Sequence, residues 1–92
     1  MDLNRNYDSE WGFHGASKNK CRETYAGRSP FSEPESKYHK QHIEKMKNVI
    51  AAVSFHSYSE VILFPYSSSH EKEAVNRQEL QRVSRLIYFH VL

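Results

Sequence analysis

Val49-Ile50-Ala51-Ala52-Val53-Ser54-Phe55-His56-Ser57-Tyr58-Ser59 opens as an almost unbroken apolar run and closes in hydrogen-bonding side chains. A run this short, rich in β-branched and aromatic residues, predicts a strand buried on both faces of a sheet. In such sheets chemistry gathers just past the carboxyl ends of the strands, a position held here by His56, Ser57 and Tyr58. A histidine at a strand end is most often a hydrogen-bonded structural residue, so the structural and the ligand readings both stand on this stretch alone.

Downstream, Glu60 precedes a second apolar run, Val61-Ile62-Leu63-Phe64-Pro65-Tyr66. The short polar spacing suits sequential strands, with Pro65 marking the end of the second. Ser67-Ser68-Ser69 then reads as a polar connector. A last helix is expected from about Glu71 or Asn76 to the end, with Leu80, Val83, Ile87 and Phe89 along an apolar stripe and Asn76 with Glu79 as a cap. The stripe is expected to pack on the sheet. The final residues, 86–92, are apolar nearly all round and stop without a cap.

Upstream, Ser32-Glu33-Pro34-Glu35 reads as a capping box, with Ser32 as N-cap and Pro34 in the first turn. The helix is expected to run to about Lys47 and to end at Asn48, so that it occupies residues 32–48. Its apolar face is thin: Tyr38, His42, Ile43 and Met46 share a side, with His39 beside them. His39 and His42 have the spacing of a metal-binding pair, but no third ligand shares their face, and they read as surface or half-buried histidines.

Residues 1–31 keep no helical or strand period, since Asn, Asp, Ser, Gly and Pro recur every few positions. Yet Tyr7, Trp11, Phe13, Tyr25 and Phe31 are too many aromatics for a disordered tail, and the segment reads as a long, ordered surface loop. Its notable polar group is Asn4-Arg5-Asn6. An arginine between two amides suits bidentate capture of a carboxylate or phosphate; a solvated arginine is the plainer alternative.

Ninety-two residues with a formal charge of +2, from 13 basic and 11 acidic side chains, suit one small domain or part of a larger one. The bases are scattered, Lys18, Lys20 and Arg22 being the only tight group, so no nucleic-acid footprint is expected. No apolar run reaches the length of a membrane span, and the polar start does not read as a secretory signal. Cys21 is the single cysteine. It reads as a reduced thiol, an intermolecular partner, or half of a disulfide whose other half lies elsewhere.

Taken together, several stretches resemble the zinc metallocarboxypeptidases of the pancreatic carboxypeptidase A and B type. Asp2-Leu3-Asn4-Arg5-Asn6 is similar to the family's Asp-x-Asn-Arg-Asn motif. Gly15-Ala16-Ser17 followed by Cys21, Glu23, Thr24 and Tyr25 resembles a second family loop. Ser29 to Glu35 resembles the start of the helix that follows. His56-Ser57-Tyr58-Ser59 and Phe64-Pro65-Tyr66 resemble the family's His-Ser-Tyr-Ser and Tyr-Pro-Tyr elements. The order and spacing agree from Asp2 to about Val83, a combination far more specific than any one piece. After about Arg85 the likeness fades. His39 and His42 stand where the family usually has apolar residues, and Ser67-Ser68 replaces the usual pair after Pro65-Tyr66.

The resemblance implies an α/β fold, a partial α/β/α sandwich with a mixed sheet, and removal of single C-terminal residues from peptides as the family activity. It implies that His56 is a zinc ligand, that Asn4 and Arg5 bind the substrate's terminal carboxylate, and that Ser57 and Tyr58 line the substrate cleft. It further implies non-proline cis peptides between Ser57 and Tyr58 and between Pro65 and Tyr66. The partners implied are peptide or protein C-termini, with neither nucleic acid nor membrane, and the parent protein is expected to be secreted, with Cys21 in a disulfide. The family's other two zinc ligands, its oxyanion arginine and its general-base glutamate have no counterpart in the sequence. The 92-residue chain is therefore expected to be an internal fragment, inactive alone, without catalytic residues of its own. A non-catalytic product that binds peptide C-termini is the competing reading.

Overall fold

The computed structural model describes residues 1–66 and 71–91. The connector expected at Ser67-Ser68-Ser69, and Leu92, lie outside the described residues. In chain order the elements are a one-turn 3-10 helix, η1 (Leu3–Arg5), and two α-helices, α1 (Pro34–Lys45) and α2 (Arg77–Val91). The chain divides into two compact units, Met1–Val53 and Ser54–Leu92.

The first unit is built from turns. Its N-terminal segment is tied to the loop 17–26 by the Asp2 amide, which donates to the Tyr25 carbonyl (2.9 Å). Within that loop the Ser17 amide donates to the Thr24 carbonyl and the Ala26 amide to the Ser17 carbonyl (each 2.9 Å), an isolated bridge that closes a compact Ω-shaped excursion. Trp11 lays its indole across the excursion, donating from Nε1 to the Ala26 carbonyl (3.0 Å), and the Lys18 ammonium sits 5.5 Å from its ring centroid. Polar closure dominates the centre of this unit: the apolar Ala26 and the polar Asn6 and Ser36 are its fully buried side chains.

Helix α1 starts later than its sequence suggests. Glu33, not Ser32, is the N-cap, and its side chain makes no cap hydrogen bond. The Ser32 hydroxyl is engaged elsewhere, donating to Glu33 Oε1 (2.8 Å) and accepting from Asn6 Nδ2 (3.0 Å), so the expected capping box does not form. In its place the Ser36 hydroxyl reaches back to the Glu33 carbonyl (3.1 Å), and Asn6 Oδ1 accepts from the Glu33 amide (3.2 Å). Tyr7 pins the helix flank from the loop side: its hydroxyl and His39 Nδ1 are 2.7 Å apart, and its ring meets Phe31 edge-on with centroids 5.5 Å apart. The thin apolar face, Tyr38, Ile43 and Met46, remains exposed.

The sheet expected from the two apolar runs does not form among the described residues. No strand occurs among the described residues, and no mixed sheet or α/β/α sandwich is present among them. Neither apolar run, 49–55 or 61–64, forms a β-ladder; Ile50 is 99% and Phe55 93% exposed. The physical reason is that a strand is a property of a pair. Apolar, β-branched sequence favours an extended backbone, but only ladder hydrogen bonds to a neighbour and burial of both faces convert it into a strand.

In the second unit, α2 is the regular element. The Leu80 amide donates to the Asn76 carbonyl (3.0 Å), which puts Asn76 in the flanking position. Leu80, Ser84 and Ile87 lie half-buried along one line of the helix, while Val83, Leu86 and Phe89 are exposed. Ion pairs from Arg77 to Glu73 and from Arg82 to Glu79 support its first turns. Among the described residues no helix is long and apolar enough to cross a membrane.

Candidate carboxylate-binding site

Asn4 and Arg5 sit on η1, and the local sequence explains the turn. Asp2 adopts an extended conformation and its carboxylate accepts from the Asn4 amide (3.0 Å), an N-cap suited to an aspartate. The Arg5 amide donates to the Asp2 carbonyl and the Asn6 amide to the Leu3 carbonyl (each 3.0 Å). On this turn Asn4 is exposed and Arg5 half-buried. The Arg5 side chain is 39% exposed, with Asp2 Oδ2 3.7 Å from its Nε, too long for a hydrogen bond. Nε itself is buried and has no hydrogen-bond partner. With its side chain partly exposed, the guanidinium brings a positive charge to the surface, which suits it to a carboxylate, although the enclosed Nε is not itself within a ligand's reach.

Asn6 holds this turn in place. Its side chain is fully buried, and both ends of its carboxamide are used. Nδ2 donates to the carbonyls of Ala26 (2.7 Å) and Ser29 (3.0 Å) and faces the Ser32 hydroxyl (3.0 Å). Oδ1 accepts from the Glu33 amide (3.2 Å) and from the Ser36 hydroxyl (2.5 Å). Its backbone carbonyl accepts from the Phe31 amide (2.8 Å). Gly27, at φ +88°, supplies the space, since a Cβ there would collide with Asn6 Nδ2 and Ser32 Oγ. In the sequence Asn6 has no visible role beyond flanking Arg5; only its place in the same tripeptide marks it.

The remaining candidate residues lie in the second unit. His56 is exposed, and its Nδ1 is in hydrogen-bond contact with the Ser57 carbonyl. Ser57 and Tyr58 follow directly, joined by a cis peptide, and Tyr58 is 94% exposed. The Pro65–Tyr66 bond is also cis. Asn4 with Arg5 and His56 with Ser57 and Tyr58 are thus two local groups, one in each unit.

The zinc that the resemblance implies calls for several chelating side chains drawn together. Among the described residues no group of three or more His, Cys, Asp or Glu side chains could hold a metal ion. His39 is committed to Tyr7, and Cys21 is exposed in its own turn, with its amide on Asn19 Oδ1 (2.9 Å). A protein zinc site needs about three chelating side chains, so the residues present do not by themselves fit one.

The chain belongs to the zinc carboxypeptidase family, whose model matches residues 1–88. That match runs past Arg85, beyond the last recognisable motif. The chain is 40% identical over 85 residues to carboxypeptidase A1 of Mus musculus, covering 92% of this chain and 20% of that protein. It is 39% identical over 84 residues to zinc carboxypeptidase A 1 of Anopheles gambiae, covering 90% and 19%. It is 42% identical over 90 residues to carboxypeptidase B2 of Bos taurus, covering 96% and 21%. The chain therefore spans about a fifth of the length of the curated relatives it matches. No solved structure matches it significantly.

Proposed function

We propose that this chain carries the carboxylate-anchoring part of a zinc metallocarboxypeptidase, an enzyme that removes C-terminal residues from peptides. Asn4 and Arg5 bind the substrate's free terminal carboxylate. An internal peptide bond offers no such charge, so capture of this group selects chain ends. His56 contributes one zinc ligand, and Ser57 and Tyr58 line the cleft beside the scissile bond. The parent protein is secreted, and an exposed Cys21 that the resemblance places in a disulfide fits an oxidising compartment. The 92-residue chain by itself binds peptide C-termini without hydrolysing them, because one histidine does not chelate zinc firmly.

The observation that carries this reading is the Arg5 guanidinium, partly exposed and next in sequence to the exposed Asn4 on a turn capped by Asp2. The test compares one fluorescent peptide bearing a free C-terminus with its C-terminal amide, titrated against the 92-residue chain. The free acid is expected to bind about tenfold more tightly, the worth of one charge-assisted bidentate contact. Arg5→Ala should erase the difference, and Arg5→Lys should recover only part of it, since an ammonium cannot make the fork. Equal affinity for acid and amide would sink the proposal. Release of C-terminal residues by the isolated chain, with zinc supplied, would overturn the statement that it does not hydrolyse them.

A further inference from the structure

No hydrogen bond at Nε aims the Arg5 side chain: the Asp2 carboxylate stands 3.7 Å away and the buried Nε is unpartnered. Its direction is therefore set by the backbone of η1. A single 3-10 turn of three residues is not stable by itself, so something outside the turn must fix it. The next residue does so. Asn6 closes the turn through its amide, ties it to Phe31 through its carbonyl, and reaches Ala26, Ser29, Ser32, Glu33 and Ser36 with its side chain.

Resting on the reading of Asn4 and Arg5 as a carboxylate site, we propose that Asn6 is the positioning residue of that site, fixing η1 against the first turn of α1 so that the guanidinium faces the ligand. The chemistry demands a carboxamide. One end must accept from an amide and a hydroxyl while the other donates to two carbonyls, and neither a hydrocarbon nor a carboxylate does both. In Asn6→Asp the geometry is kept, but an oxygen faces the carbonyls of Ala26 and Ser29. Burial without a donor favours the protonated acid, which can donate once and restore part of the anchor.

The experiment measures the acid-over-amide preference of the 92-residue chain and its variants, with helix content and Trp11 near-ultraviolet signal as checks on folding. Asn6→Asp is expected to bring the preference close to one at about pH 8 and to recover it several-fold at about pH 5, where the ligand carboxylate is still ionised. Asn6→Ala should lack the preference at both. A merely structural role would lower the folded fraction and weaken both peptides equally, leaving their ratio intact. A folded Asn6→Asp chain with the wild-type preference at about pH 8 overturns the proposal. If both variants lose the Trp11 signal, Ser36→Ala decides: removing one of the bonds to Oδ1 should reduce the preference about threefold, and an unchanged ratio overturns the proposal. Absence of any preference in the unaltered chain sinks the carboxylate reading and this one with it, whereas a preference that survives in the variants sinks only the role of Asn6.

Discussion

A methyl group added to Gly27 would strike the two atoms that hold Asn6 in place, Nδ2 of its own carboxamide and Oγ of Ser32. The backbone there, at φ +88°, also disfavours any residue with a Cβ. Positive φ costs about 1–2 kcal/mol and overpacking a buried contact about 1–3 kcal/mol. Gly27→Ala should therefore destabilise the first unit by about 2–5 kcal/mol, read as a lower urea midpoint in the fluorescence of Trp11. Trp11 is the right reporter, because its indole shares the Ala26 carbonyl with Asn6. At this scale the sequence was informative about chemistry and silent about support. Arg5 between two amides stood out as a candidate for anion capture, but a solvated arginine was the plainer local reading, and the family resemblance, not the tripeptide, favoured the first. Asn6 looked like its twin Asn4, since nothing in a tripeptide tells which amide turns inward; that is decided by Gly27 and the loop 26–33, far along the chain.

At the scale of elements, the start of α1 shows how tertiary contacts displace a local signal. A serine followed three positions on by a glutamate is a sound capping box in isolation. Here the Ser32 hydroxyl is drawn to Asn6, the cap moves on by one residue, and Asn6 Oδ1 accepts from the Glu33 amide at the helix start. An N-cap serine is worth about 1 kcal/mol, so the two arrangements make opposite predictions. Ser32→Ala should cost under about 0.5 kcal/mol, because Asn6 Nδ2 keeps two carbonyl acceptors. Ser36→Ala, which strips a buried donor from Oδ1, should cost about 1–2 kcal/mol; urea titrations of the two variants give the order. In α2, the Glu79 carboxyl is held below its usual range, first by the hydrogen bond from Arg82 and then by the charge of that guanidinium. A carboxyl with a lowered folded-state pKa stabilises above its unfolded pKa and loses that contribution as pH falls through the folded value. The pair is exposed and the effect small. Helix content should decline on acidification, and Glu79→Gln should remove a minor share of that decline; an unaltered acid profile in the variant would show that the pair contributes nothing.

Across the whole molecule, the segments differ in what their sequences could accomplish alone. Residues 1–33 carry bonds that close within the segment, from Asp2 to Tyr25, Ser17 to Thr24 and Asn6 to Ala26, besides those from Asn6 and Tyr7 to α1, and a long aromatic-bearing loop was readable from composition. The composition of the apolar runs 49–55 and 61–64 favours extended backbone, but no ladder pairs them among the described residues, so the strand reading led to an incorrect fold class. The same difference has a measurable consequence. Amides of the Ω-shaped loop are enclosed by hydrogen bonds whose opening must disturb Asn6 or Trp11, whereas the 49–55 run carries Ile50 and Phe55 in open solvent with no ladder to open. Hydrogen exchange resolved by peptide should therefore show the amides of Ser17, Tyr25 and Ala26 protected well beyond those of 50–55, by about a hundredfold or more. The exposed apolar side chains should also make the chain self-associate as its concentration rises, and Ile50→Thr combined with Leu63→Thr should reduce light scattering without changing helix content. Protection of 50–55 equal to that of the loop, at concentrations where scattering is absent, would mean that the monomer covers this segment after all. Protection that appears only as scattering rises, and that the double variant abolishes, would assign the cover to neighbouring chains meeting along an unpaired apolar segment.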